Sequence, residues 1–164
     1  MGNSFPPEPK TPRLFLDSSV IIAGLASRTG ASHAILALAE LGLIRLVGCP
    51  YILTEVERNL AKKVPEFLPA YRRLMVNLNW QMVEDPAAED VSPWLDLVPA
   101  KDAPVLAAAV AAAPHRFITL DTRHFISPPE VAERSGLSVC TPGDFLQEVR
   151  AILARGLAGE KASE

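Results

Sequence analysis

Short apolar runs alternate with segments of helical spacing along most of the chain, and that alternation leaves few folds open. Leu14, Phe15 and Leu16 form the first run; residues 44–47, 80–83, 116–120 and 137–140 form the others. Runs this short, bounded by turn residues, suit strands covered on both faces. Between them lie helical stretches with recognisable starts and stops. Ser18 or Ser19 can cap a helix over residues 20–26. Residues 34–41 form another, stopped by Gly42. Pro50 opens a third, carrying Tyr51, Ile52, Val56 and Leu60 at helical spacing. Pro65 and Pro69 frame a fourth, residues 70–78. Pro104 fits the first turn of an Ala-rich helix that runs to residue 113, where its missing N–H costs little. Thr141 to Asp144 cap the last, residues 145–154. Strands that alternate with helices predict an α/β domain around a mostly parallel sheet of four to five strands.

The boundaries follow from composition. Residues 1–12 hold four prolines with little periodicity and read as a flexible extension. The domain spans residues 13–155, and residues 156–164 read as a flexible tail. No apolar run approaches the roughly 18 residues that span a bilayer. The N-terminal residues lack the charged and apolar regions of a signal peptide, so the expected location is cytoplasmic. A net charge of −3 is not the footprint of a chain that coats nucleic acid. It is compatible with an enzyme that meets nucleic acid through an acidic, cation-filled pocket with a local basic rim. Cys49 and Cys140 each end an apolar run and read as buried, reduced thiols rather than a zinc pattern.

In a parallel sheet, ligands collect at the carboxyl ends of the strands, where the strand order reverses. Four acids are placed to reach that edge. Asp17 follows the first strand directly and Asp121 follows the fourth. Asp102 opens the helix that precedes the fourth strand. Glu55 lies one turn into the helix after the second, flanked by apolar residues. Carboxylates gathered at one edge repel unless a cation or proton lies between them. Hard cations such as Mg²⁺ take oxygen ligands, activate water and steady charge on a phosphodiester. Each acid also has an ordinary structural role open to it: an N-cap for Asp17 and Asp102, a turn for Asp121, a solvated helix face for Glu55. His33, His115 and His124 show no partner spacing, and no Ser/His/Asp set, Cys/His set or phosphate loop competes.

The segments LDSSV at 16–20, LTEV at 53–56, KDAPVLAAA at 101–109 and TLDTRHF at 119–125 resemble, in order and spacing, the four motifs of the PIN domain family. The last two together are the most specific. The resemblance covers about residues 13–150 and implies a three-layer α/β/α sandwich. It implies Mg²⁺- or Mn²⁺-dependent endonucleolytic cleavage of RNA that leaves a 5′-phosphate. Position by position, the family's acidic quartet falls on Asp17, Glu55, Asp102 and Asp121, as catalytic and metal-binding residues. Thr119 matches the family's supporting hydroxyl, and Ser18 is a second supporting residue beside Asp17. Lys101 and Arg123 adjoin the proposed ligands and are the expected phosphate contacts. Many small PIN proteins are VapC-type toxins of type II toxin–antitoxin pairs and commonly dimerise. The chain resembles them in size, which implies an antitoxin partner and a homodimer, with an apolar face near residues 36–43 as the candidate contact. It departs from them in its Pro-rich extension and its tail.

Two other readings use the same residues. A catalytically inactive PIN-like module would serve RNA or protein binding, although a dead site has no reason to keep four mutually repelling groups. A receiver or haloacid dehalogenase-like phosphatase also places an Asp after its first strand. The phosphatase wants a second Asp two residues on, where Ser19 stands. The receiver wants a paired acid and a late Lys, and Cys140-Thr141-Pro142 occupies the latter place.

Overall fold

The structure, a computed structural model, describes residues 10–161. Its elements run in order β1 (Arg13–Leu16), α1 (Ser18–Ala26), α2 (Ala31–Glu40), β2 (Arg45–Gly48), α3 (Pro50–Lys63), α4 (Leu68–Asn77), β3 (Gln81–Met82), α5 (Ala88–Val91), α6 (Ala103–Ala112), β4 (Arg116–Ile118), α7 (Pro129–Ser135), β5 (Val139–Cys140) and α8 (Pro142–Lys161). The five strands form one sheet in the order β3-β2-β1-β4-β5, and every neighbouring pair is parallel. Helices cover both faces, as the alternation requires. The order reverses between β1 and β4, so the carboxyl ends of those two strands flank the switch point.

The core explains why the middle of each central strand is apolar. Leu14, Phe15, Leu16, Phe117 and Ile118 are wholly buried, as are Ile21, Ile35, Ile52, Val56, Leu60 and Leu106 from the helices. The Ala-rich α6 is buried over most of its circumference, from Ala103 to Ala109. Its small side chains let it lie close against its neighbours. Phe15, Phe117 and Phe125 stack edge-to-face, with centroids 5.7 and 5.1 Å apart. That stack ties β1 and β4 to the turn after β4.

Helix ends follow local chemistry. Gly42 takes φ +74 past the end of α2, and its N–H reaches the Ala39 carbonyl. Ala113 ends α6 at φ 45 without being a glycine. The Arg13 guanidinium compensates by donating to the carbonyls of Ala112 and Ala113, and to Gln81 Oε1 across the sheet.

Several expectations need correction. α1 begins at Ser18, so Asp17, not Ser18 or Ser19, occupies its N-cap. The third strand is only Gln81–Met82, because it is an edge strand paired on one side alone. A turn of 3₁₀ helix (Pro65–Phe67) precedes α4, which starts at Leu68 rather than residue 70. α5, a further 3₁₀ turn (Ser92–Trp94) and α7 lie where the sequence shows no sustained apolar period. The last helix continues through Lys161, into the residues assigned to the tail, running across Gly156 and Gly159 with no proline to stop it. The remaining tail residues 162–164, and residues 1–9 of the extension, lie outside the described part. No single described helix is long and apolar enough to cross a membrane. Cys49 and Cys140 are free and buried, and burial pushes both thiols up to about 11.

Candidate active site

Asp17 is 7% exposed, and its carboxylate is held from three sides. Oδ1 accepts from the Ser18 N–H at 2.8 Å. Oδ2 accepts from the Ser19 and Thr119 hydroxyls, each at 2.9 Å. Thr119 is wholly buried after β4, and its Oγ1 also accepts the Asp121 N–H at 3.0 Å. One hydroxyl therefore fixes two acids from opposite sides of the switch point. Ser19 Oγ plays a similar part, accepting from the Leu120 N–H at 3.3 Å. Of the two serines, Ser19 gives Asp17 its hydroxyl and Ser18 its backbone N–H.

Asp121 sits at the mouth of a π-helical turn (Thr122–Ile126) closed by the Ser127 N–H on the Thr122 carbonyl. Phe125, 2% exposed, pins this turn to Phe117. The turn folds His124 back on Asp121: its N–H donates to Oδ1 at 3.1 Å and its Nδ1 lies 2.8 Å from Oδ2. The same Nδ1 is 3.6 Å from Asp102 Oδ2. The sequence reading missed His124. Its signal was the three-residue spacing from Asp121, which reads as unrelated unless a helical turn joins the two.

Asp102 is likewise 7% exposed, at the start of α6. Lys101 Nζ lies 3.7 Å from its Oδ1. Its Oδ2 is buried and has no hydrogen-bond partner among the described residues. Glu55 is half-buried on α3 and its charge raises the proton affinity of Asp17 and Asp102, but it stands outside the close group of donors formed by Asp102, Asp121 and His124. Tyr51, one turn earlier on α3, donates to the Lys101 carbonyl at 3.0 Å and so ties α3 to the start of α6. Arg123 is exposed on the π-helical turn and makes no hydrogen bond or ion pair among the described residues. The structure thus brings Asp17, Glu55, Asp102, Asp121 and Thr119 to one edge, with Lys101 and Arg123 at its rim. The amino ends of α1, α3 and α6 face the same edge, where a helix favours negative charge.

The acids differ in affinity for a proton. Burial pushes Asp17 up, against hydrogen bonds from Ser19 and Thr119 that favour its charged form. Burial raises Asp102 too; Lys101 opposes this, and the Asp121 charge adds to it. Burial also bears upward on Asp121, but the hydrogen bonds and charge of His124 outweigh it and hold this carboxyl below its ordinary value. A buried carboxylate oxygen without a partner is costly unless something cationic meets it. Asp102, Asp121 and His124 each offer a donor atom within 4.8 Å of the others. The donor set of carboxylates and one imidazole therefore fits a divalent cation.

The family model of the PIN domain matches residues 13–123. The chain belongs to the PIN domain family. No curated protein matches it. Solved structures similar to this PIN domain include DNA-bound VapBC from Salmonella typhimurium, at TM-score 0.59 and 13% identity over 80% of this chain and 98% of that one. PAE2754 from Pyrobaculum aerophilum is similar at 0.58 and 18%, over 86% and 91%. VapBC2 from Rickettsia felis, bound to a DNA fragment from its promoter, is similar at 0.57 and 12%, over 79% and 98%. At these identities the likeness is one of fold.

Proposed function

We propose that this PIN domain is a Mg²⁺- or Mn²⁺-dependent endoribonuclease that hydrolyses RNA phosphodiester bonds. The observation that carries the reading is the buried Oδ2 of Asp102, without a hydrogen-bond partner among the described residues and facing Asp121 and His124, with Asp17 joined to Asp121 through Thr119. An acid cluster of this kind is expensive unless it holds a cation. Asp17, Asp102 and Asp121 would hold the ion, with Glu55 completing the site. When bound, the cation supplies charge neutralisation at the scissile phosphate and acidifies water.

The chain's own residues perform the remaining work. Glu55 orients the attacking water and accepts its proton. The water oxygen joins phosphorus, the bond to the 3′-oxygen breaks, that oxygen takes a proton from solvent, and a 5′-phosphate remains. Thr119 and Ser19 keep Asp17 and the β4 loop in register during this step. Lys101 takes a flanking phosphate as a point charge and Arg123 through its planar guanidinium fork. The expected result is Mn²⁺-dependent cleavage of single-stranded RNA, abolished by chelator and lowered at least about a hundredfold in Asp17→Asn. Undiminished cleavage in that variant removes Asp17 from the mechanism, and an inert wild-type chain that still binds RNA favours the non-catalytic module.

The similarity to VapBC structures supports a toxin in a toxin–antitoxin pair, acting in the cytoplasm and held by a cognate antitoxin. A homodimer belongs to the same reading. Its contact is not residues 36–43 as a whole, because Leu36 is buried. Leu41 and Leu43 are exposed, and Leu43 shares an apolar groove with Ile152 and Leu153 of α8.

A further inference from the structure

We infer that His124 is itself a ligand in the cation site, so that the site selects a first-row transition divalent over Mg²⁺. The inference rests on the nuclease reading and adds to it a donor outside the acidic quartet. His124 Nδ1 stands 2.8 Å from Asp121 Oδ2 and 3.6 Å from Asp102 Oδ2. A cation about 2.1 Å from each of its ligands sets neighbouring donors about 3 Å apart, so these separations are those of ligands on one ion. Two features make this a built site. Asp102 is 7% exposed, and the oxygen it turns toward His124 has no hydrogen-bond partner among the described residues. The ring is held in place by the π-helical turn, whose buried Phe125 follows His124 directly.

An ion in that place takes the Nδ1 lone pair, and a proton held between Nδ1 and the Asp121 carboxylate, 2.8 Å apart, passes to solvent. Nothing is oxidised or reduced. Mg²⁺ holds oxygen ligands and waters in preference to nitrogen, whereas an imidazole donor strengthens the binding of transition divalents.

The test uses the full chain and two ions. Electron spin-echo spectra of bound Mn²⁺ should show a directly coordinated nitrogen in the wild type, and His124→Ala should lose it. Calorimetric titration should find Mn²⁺ affinity lowered about tenfold or more in His124→Ala, with Mg²⁺ affinity changed less than about threefold. Mn²⁺ bound without nitrogen coordination, or equal losses for both ions, overturns the proposal and reduces His124 to a group that orients Asp121. In that outcome the nuclease reading stands. Absence of binding by either ion to the wild type overturns both. The wild-type spectrum decides the matter even if the variant does not fold.

Discussion

At the scale of single residues, the acids of the cluster carry opposite signs of linkage, which gives them separable signatures. The folded protein raises the proton affinity of Asp102, so ionising it destabilises the fold. Its contribution turns unfavourable as pH rises from the ordinary carboxylate range through the raised folded value. With chelator at neutral pH, Asp102→Asn should therefore melt above the wild type, and the gap should close as pH falls toward about 4. Asp121 is held below its ordinary value, so its charge stabilises the fold above the unfolded value and is lost as pH falls through the folded one. Asp121→Asn should melt below the wild type at neutral pH, with the difference fading in acid. Scanning calorimetry across pH checks both signs. Saturating Mn²⁺ should reverse the order for Asp102→Asn, because a ligand that binds only the folded wild type stabilises it by mass action. Thr119→Val should cost about 1–3 kcal/mol, since it strips the partner from a buried carboxylate and from the Asp121 N–H.

At the scale of elements, the sequence made the central strands and their helices legible because apolar period and proline position agree there. Asp17 and Asp121 could be placed at one edge since each follows a central strand. The α5 and α7 segments were hidden: both are short, and α5 has no buried residue to print a period on the sequence. The π-helical turn was hidden too, and with it His124, because its i→i+5 bond has no local sequence mark. Ala113 shows the same limit, since a left-handed helix end is normally announced by glycine. Its backbone cost is met by Arg13 from β1, some hundred positions away in sequence. Ala113→Gly should accordingly stabilise the protein by about 0.5–1 kcal/mol in denaturant melts. Gly24 is the opposite case. A Cβ there would stand 2.6 Å from Leu36 Cδ1 and 3.0 Å from the Ser32 carbonyl. Gly24→Ala should push α1 from α2 and cost about 1–3 kcal/mol.

At the scale of the whole molecule, a parallel sheet with the order β3-β2-β1-β4-β5 gathers residues far apart in sequence at one crevice. That crevice holds the acids, while the apolar groove beside α8 lies away from it. Nuclease chemistry and self-association should then separate. Leu153→Glu should shift the sedimentation of any dimer toward monomer and leave the affinity for Mn²⁺ intact. The central claim is that Asp17, Glu55, Asp102 and Asp121 converge to hold a divalent cation. A crystal soaked in Mn²⁺ tests it most directly. An anomalous peak held by Asp17, Asp102 and Asp121, with Glu55 beside it, is expected; a crystal that takes up Mn²⁺ only elsewhere, or not at all, contradicts the claim.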